Sequence, residues 1–101
     1  MANQQFALIP PTTGAVTTNP YPTNQYDSIS VAADNLAGGE TINIQVMAGS
    51  TPVQVLMLDG TTAATLSATL LGITLIGGPS YVFVKSSTAG ACGLYVDAKQ
   101  R

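Results

Sequence analysis

Histidine and tryptophan are absent from this 101-residue chain, and cysteine occurs once, as Cys92. Without histidine the side chain best suited to proton transfer near neutral pH is missing, and so is the commonest metal ligand. A single cysteine excludes an intrachain disulfide. Charge is scarce too: Lys85, Lys99 and Arg101 stand against Asp27, Asp34, Glu40, Asp59 and Asp97, for a net charge of −2. With so few cations there is no basic patch to neutralise phosphates, which disfavours nucleic-acid binding. Long apolar runs are also missing. The most hydrophobic window, residues 68–76, falls far short of the roughly 20 residues a spanning helix needs. The amino terminus, MANQQFALIPP, has neither the basic start nor the long apolar stretch of a signal peptide. These absences predict a chain made in the cytoplasm, with no membrane partner, no cofactor and no metal.

What remains has room for one domain. Residues 1–25 carry Pro10, Pro11, Pro20 and Pro22 and not one charged side chain. Proline fixes its own φ and biases the preceding residue toward extended conformations, so this stretch is predicted to be extended or turning. It reads as an arm, residues 1–25, in front of a core domain, residues 26–101. Disordered tails are ordinarily rich in charge, whereas this one carries Phe6, Leu8, Ile9, Val16 and Tyr21. Phe6, Leu8, Ile9 and Tyr21 are therefore the expected anchors of an arm laid along a neighbouring subunit or a larger surface.

From Tyr26 onward the pattern is that of short strands. Residues 26–31 alternate, with Ile29 and Val31 on the face that also carries Asp27. Ile42, Ile44 and Val46 alternate with Asn43, Gln45 and Met47, the period-2 pattern of a half-buried strand. Residues 53–58 form a nearly unbroken apolar run, as in a strand buried on both faces. Gly49 and Pro52 mark the turn between these two, and Asp59-Gly60 is the sharpest turn signal in the chain. In residues 63–71 the alternation of Leu66, Ala68 and Leu70 favours a strand over one helical turn. Residues 73–76, 81–85 and 92–97 complete the series, with Gly77-Gly78-Pro79 turning the chain between the first two. About seven short strands without a helix predict an all-β fold: a small antiparallel β-sandwich or a jelly-roll-like barrel with an extended amino-terminal arm.

No chemistry is displayed. Asp34, Glu40 and Asp59 lie in or beside turns and read as turn and cap residues; no calcium-loop spacing connects them. Ser86, Ser87 and Thr88 have no base to activate a hydroxyl. Cys92 reads as a small buried hydrophobe, since no histidine or basic cluster lowers its pKa. The glycine pairs lack the lysine and helix of a phosphate loop. An enzyme is the weakest class. A structural protein of an assembly explains more: a surface with little charge, a non-polar arm, and a core of about 75 residues, small enough that oligomerisation is the remaining source of stability.

The stretch from Ile29 to Ile44 with Asn35, Gly38, Gly39 and Glu40, then Leu58-Asp59-Gly60, then Gly78-Pro79-Ser80-Tyr81-Val82-Phe83-Val84-Lys85, Ala89-Gly90 and Gly93-Leu94-Tyr95-Val96, resembles the capsid decoration, or cement, proteins of tailed bacteriophages. The resemblance implies a β-rich homotrimer on the capsid exterior that stabilises the shell by bridging subunits of the major capsid protein. It also implies a terminal arm reaching across those subunits, though residues 1–25 carry no motif to match. The alternative is a β module associated with a phage tail or fibre, or a domain that binds a carbohydrate or host surface.

Overall fold

The computed structural model describes residues 3–55 and 64–100. It is an all-β antiparallel sandwich with ten strands among the described residues: β1 (Asn3–Thr12), β2 (Val16–Thr17), β3 (Tyr21–Pro22), β4 (Tyr26–Ala33), β5 (Ile42–Ala48), β6 (Thr51–Gln54), β7 (Thr65–Leu66), β8 (Gly72–Ile76), β9 (Ser80–Lys85) and β10 (Cys92–Gln100). One sheet has the order β1-β10-β4-β8. The other runs β2-β9-β5-β6, with β3 also on β9 and β7 also on β5. The seven strands expected from the sequence correspond to β4–β10, and the additional three come from the stretch expected to be an arm.

Two sets of inward rows make the core. In the first sheet these are Ile29, Val31 and Ala33 of β4 and Leu94, Val96 and Ala98 of β10, all buried. In the second, Ile42 and Ile44 of β5 stand beside Lys85 and Phe83 of β9. Each aliphatic side chain so buried contributes on the order of 1.5–3 kcal/mol. The outward rows of the first sheet are mostly polar or small, with Ile76 an apolar exception at 74% exposed, and one pair bonds across the strands: Ser30 Oγ lies 3.0 Å from Thr74 Oγ1.

The division at residue 25 is not how this chain folds. β1 pairs with β10 from Asn3↔Lys99 to Thr12↔Cys92, and Ile9 is 1% exposed in the common core. The short strands β2 and β3 both pair with β9. The prolines are accommodated because β1 is an edge strand, where Pro10 and Pro11 fall in an interruption of register between Ile9 and Thr12. The extended conformation read from the prolines is present; what it serves is the domain itself.

Three local expectations are corrected. Asp27 does not share the face of Ile29 and Val31: Gln100 pairs with Tyr26 and Lys99 with Ser28, so Asp27 is the extra residue of a bulge and points outward while Tyr26 is buried. Val53 is 46% exposed because among the described residues β6 pairs only with β5 and lies at the sheet edge; residues 56–60, including the expected Asp59-Gly60 turn, lie outside the described residues. The strand expected over residues 63–71 shrinks to Thr65–Leu66, after which Ser67 and Leu70 bridge across a turn. The other turns match their chemistry. Gly49, at φ 66°, closes the two-residue turn from β5 to β6. At Gly77 a Cβ would run into the Tyr26 carbonyl, so only glycine fits there.

Candidate functional site

Phe6, Leu8, Ile9 and Tyr21 are brought to one side of the sandwich, where β1 of the first sheet passes over β2 and β3 of the second. They do not form one site. Ile9 is a core residue opposite Leu94, unavailable to a partner, which corrects its role as an anchor. Phe6 is inward-facing opposite Val96 but 37% exposed, because among the described residues β1 has no strand on its other side. Its ring meets that of Tyr21 edge-on, with centroids 5.8 Å apart, a geometry aromatic quadrupoles favour. Leu8 and Tyr21 are half-buried and line an open cleft of about 390 Å³ with Val16, Thr17, Thr18, Asn19 and Pro20.

The cleft has apolar walls and a hydroxyl and amide rim, and among the described residues that line it none is charged. Its apolar walls match an apolar side chain. The Tyr21 hydroxyl is shut off from solvent without a hydrogen bond of full geometry. Burial, with the neighbouring Tyr26 hydroxyl adding to it, pushes its pKa up to about 12.

Two of the acidic side chains fasten loops. Glu40 accepts from the Ala37 N–H at 2.8 Å and the Ala89 N–H at 2.8 Å, and these two bonds hold its carboxyl below the usual range. Asp34 accepts from the Gly93 N–H at 2.9 Å and from the Tyr95 hydroxyl at 3.2 Å. Both are the loop-fastening residues the turn chemistry predicted. Cys92 is fully buried, as expected of a small apolar residue. Among the described residues no group of three His, Cys, Asp or Glu converges to hold a metal ion.

Sequence reasoning missed Lys85. It occupies the inward row of β9, 1% exposed, and its Nζ donates to the Gly14 carbonyl at 2.7 Å, to the Ser86 carbonyl at 3.2 Å and to Thr88 Oγ1 at 3.2 Å. Three oxygen acceptors satisfy the three donors of an ammonium group. The signal was present: in Tyr81-Val82-Phe83-Val84-Lys85 the lysine falls in step with Tyr81 and Phe83.

Neither a protein-family model nor a curated protein sequence matches the chain. Among solved structures, it is similar to the crystal structure of SPBc2 prophage-derived protein YomS, with a TM-score of 0.72, 10% identity, and coverage of 96% of this chain and 92% of that one. Since 96% of the chain is covered, the shared architecture includes most of residues 3–22 along with the core strands. At this identity the likeness is one of fold, and the fold is that of the prophage-derived protein.

Proposed function

We propose that this protein is a structural component of a phage particle, a homotrimer that binds the capsid exterior and stabilises the shell by bridging major capsid protein subunits. The observation that carries the reading is the poverty of free surface charge. Of the charged residues described, Lys85 is buried, and the surface is left with Asp27, Asp34, Glu40, Asp97 and Lys99, of which Asp34 and Glu40 are already engaged by backbone N–H groups. A monomeric domain keeps its surface well supplied with both signs; one covered by other protein does not need to. The fold shared with a prophage-derived protein supports the same setting. Because residues 3–22 are committed to the sheets, the bridging contacts belong to the folded surface, with the cleft beside Phe6, Leu8 and Tyr21 as the place for an apolar side chain of the shell. Packaged DNA strains the contacts between shell subunits, and area buried by a clamp must be exposed before the shell opens. Interfaces of about 1,600 Å² repeated over many symmetric sites add up even where each is modest.

The test is co-sedimentation of the purified chain with empty shells. Saturation at a fixed ratio to the major capsid protein, together with a higher temperature of shell opening, is expected. A chain left in the supernatant at every concentration sinks the reading.

A second reading, a carbohydrate-binding module of a tail or fibre, is favoured by one observation. The outer face of the first sheet aligns Ser28, Ser30, Thr74, Asp97 and Tyr95, the hydroxyl, carboxylate and phenol groups from which sugar-binding faces are made. Saturable retention on immobilised host glycans, with few copies per particle, would favour it over the first.

A further inference from the structure

The first sheet ends on two strands, β1 and β8, and among the described residues neither has a neighbour on its outer side. Natural edges are blunted by charge, proline or bulges. Here each edge offers five consecutive residues in regular register, Asn3 to Ala7 on β1 and Gly72 to Ile76 on β8. No charged residue occurs before Asp27 or between Asp59 and Lys85, so neither edge is guarded by charge.

The direction of the free backbone groups follows from the register. The Ala33 N–H bonds to the Leu71 carbonyl and the Gly77 N–H to the Asp27 carbonyl, at 2.8 Å each. Hydrogen-bonded and non-bonded pairs alternate along an antiparallel ladder. Ile73 and Leu75 therefore bond inward to β4, and Gly72, Thr74 and Ile76 turn their N–H and C=O outward. Carried across β4 and β10, the same alternation turns Asn3, Gln5 and Ala7 outward on β1. These residues share rows: Asn3, Lys99, Ser28 and Ile76; Gln5, Asp97, Ser30 and Thr74; Ala7, Tyr95, Ala32 and Gly72. An even number of antiparallel strands also makes the two edges run in opposite directions. The β8 edge of one copy and the β1 edge of the next are thus antiparallel, in register and matched donor to acceptor.

We propose that the protein associates head to tail through this sheet, with β8 of one copy pairing with β1 of the next to close a ring. Ile76, Thr74 and Gly72 bond to Asn3, Gln5 and Ala7 of the following copy. On the inner side Phe6, 37% exposed, meets the half-buried Ile73, and both complete their burial. Ring closure leaves neither edge of the first sheet unpaired, which a two-fold pairing of β1 with β1 or of β8 with β8 does not achieve. The proposal deepens the trimer of the reading above and rests on that reading only for the purpose the ring serves.

The test uses the purified chain without shells. Light scattering across a dilution series is expected to give a closed oligomer, and Thr74→Pro or Gln5→Pro, each removing an outward N–H, is expected to lower the mass to that of the monomer with an unchanged circular dichroism spectrum. Should a proline variant fail to fold, thiols introduced by Gln5→Cys and Thr74→Cys decide the matter with a short bis-maleimide cross-linker. A mixture of the two variants is expected to cross-link, and either variant alone is not. A monomeric parent, an oligomer unmoved by both prolines, or cross-linking of one variant with itself overturns the proposal. An oligomer that ignores shells removes the capsid reading and leaves this contact standing; a monomer that binds shells does the reverse.

Discussion

The first sheet contains two kinds of strand, and its centre and its amino-terminal edge teach different things. β4 and β10 sit in the middle, alternate cleanly, and place Ile29, Val31, Leu94 and Val96 in a closed inward row. β1 lies outside them, loses step at Leu8 and again at Pro10 and Pro11, and yet delivers Ile9 to the same core. A central strand must satisfy neighbours on both sides, so its pattern stays regular. An edge strand has one neighbour, tolerates prolines and bulges, and looks like a tail in sequence.

The strongest way to break this comparison is to remove the edge. Deleting residues 1–25 strips β1–β3, exposes the flanks of β10 and β9, and takes Ile9 from the core. Loss of cooperative unfolding in denaturant is expected, and a truncated chain that still unfolds in one sharp transition would restore the arm picture. Next in size, Ile9→Ala should cost about 2–5 kcal/mol, as for a central core residue, and Phe6→Ala on the same strand about 1 kcal/mol, from its partial burial. Equal and small losses at both positions would mean that β1 adds little to the core.

Lys85→Met sharpens the contrast between row position and residue type. The methionine fits the inward row, but the carbonyls of Gly14 and Ser86 and the Thr88 hydroxyl lose their shared donor. A loss of about 1–3 kcal/mol in chemical denaturation is expected. An equally stable variant would reduce the lysine to its methylene stem.

The smallest effect belongs to Glu40, whose pKa is lowered by two backbone N–H bonds on an exposed loop. A group with a depressed folded pKa stabilises above its unfolded value and loses that contribution as pH falls through the folded one. The parent should therefore melt slightly above Glu40→Gln at neutral pH, with the gap closing below the ordinary carboxylate range. A gap that persists at low pH would assign the effect to packing.

Much of the fold was legible because strand and turn signals are local. The alternation of Ile42 to Met47, the glycines at 49, 77 and 78, and the apolar strands around Phe83 and Leu94 each follow from short-range rules. Less of the candidate surface was legible. Phe6, Leu8 and Tyr21 do lie near one another at the surface, but Ile9 lies inward, since one step of register separates a face that meets a partner from one that meets the core.

By itself, the sequence determined the strand-rich class, the positions of the turns and the scarcity of charge, because backbone φ, side-chain period and ionisation belong to residues and their immediate neighbours. Only the tertiary structure decided that residues 3–22 close two sheets, that Lys85 is sealed by three oxygens, and which backbone groups the edges leave free. Those depend on pairing between segments as far apart as Asn3 and Lys99, and strand order is set by how the sheets bury one another.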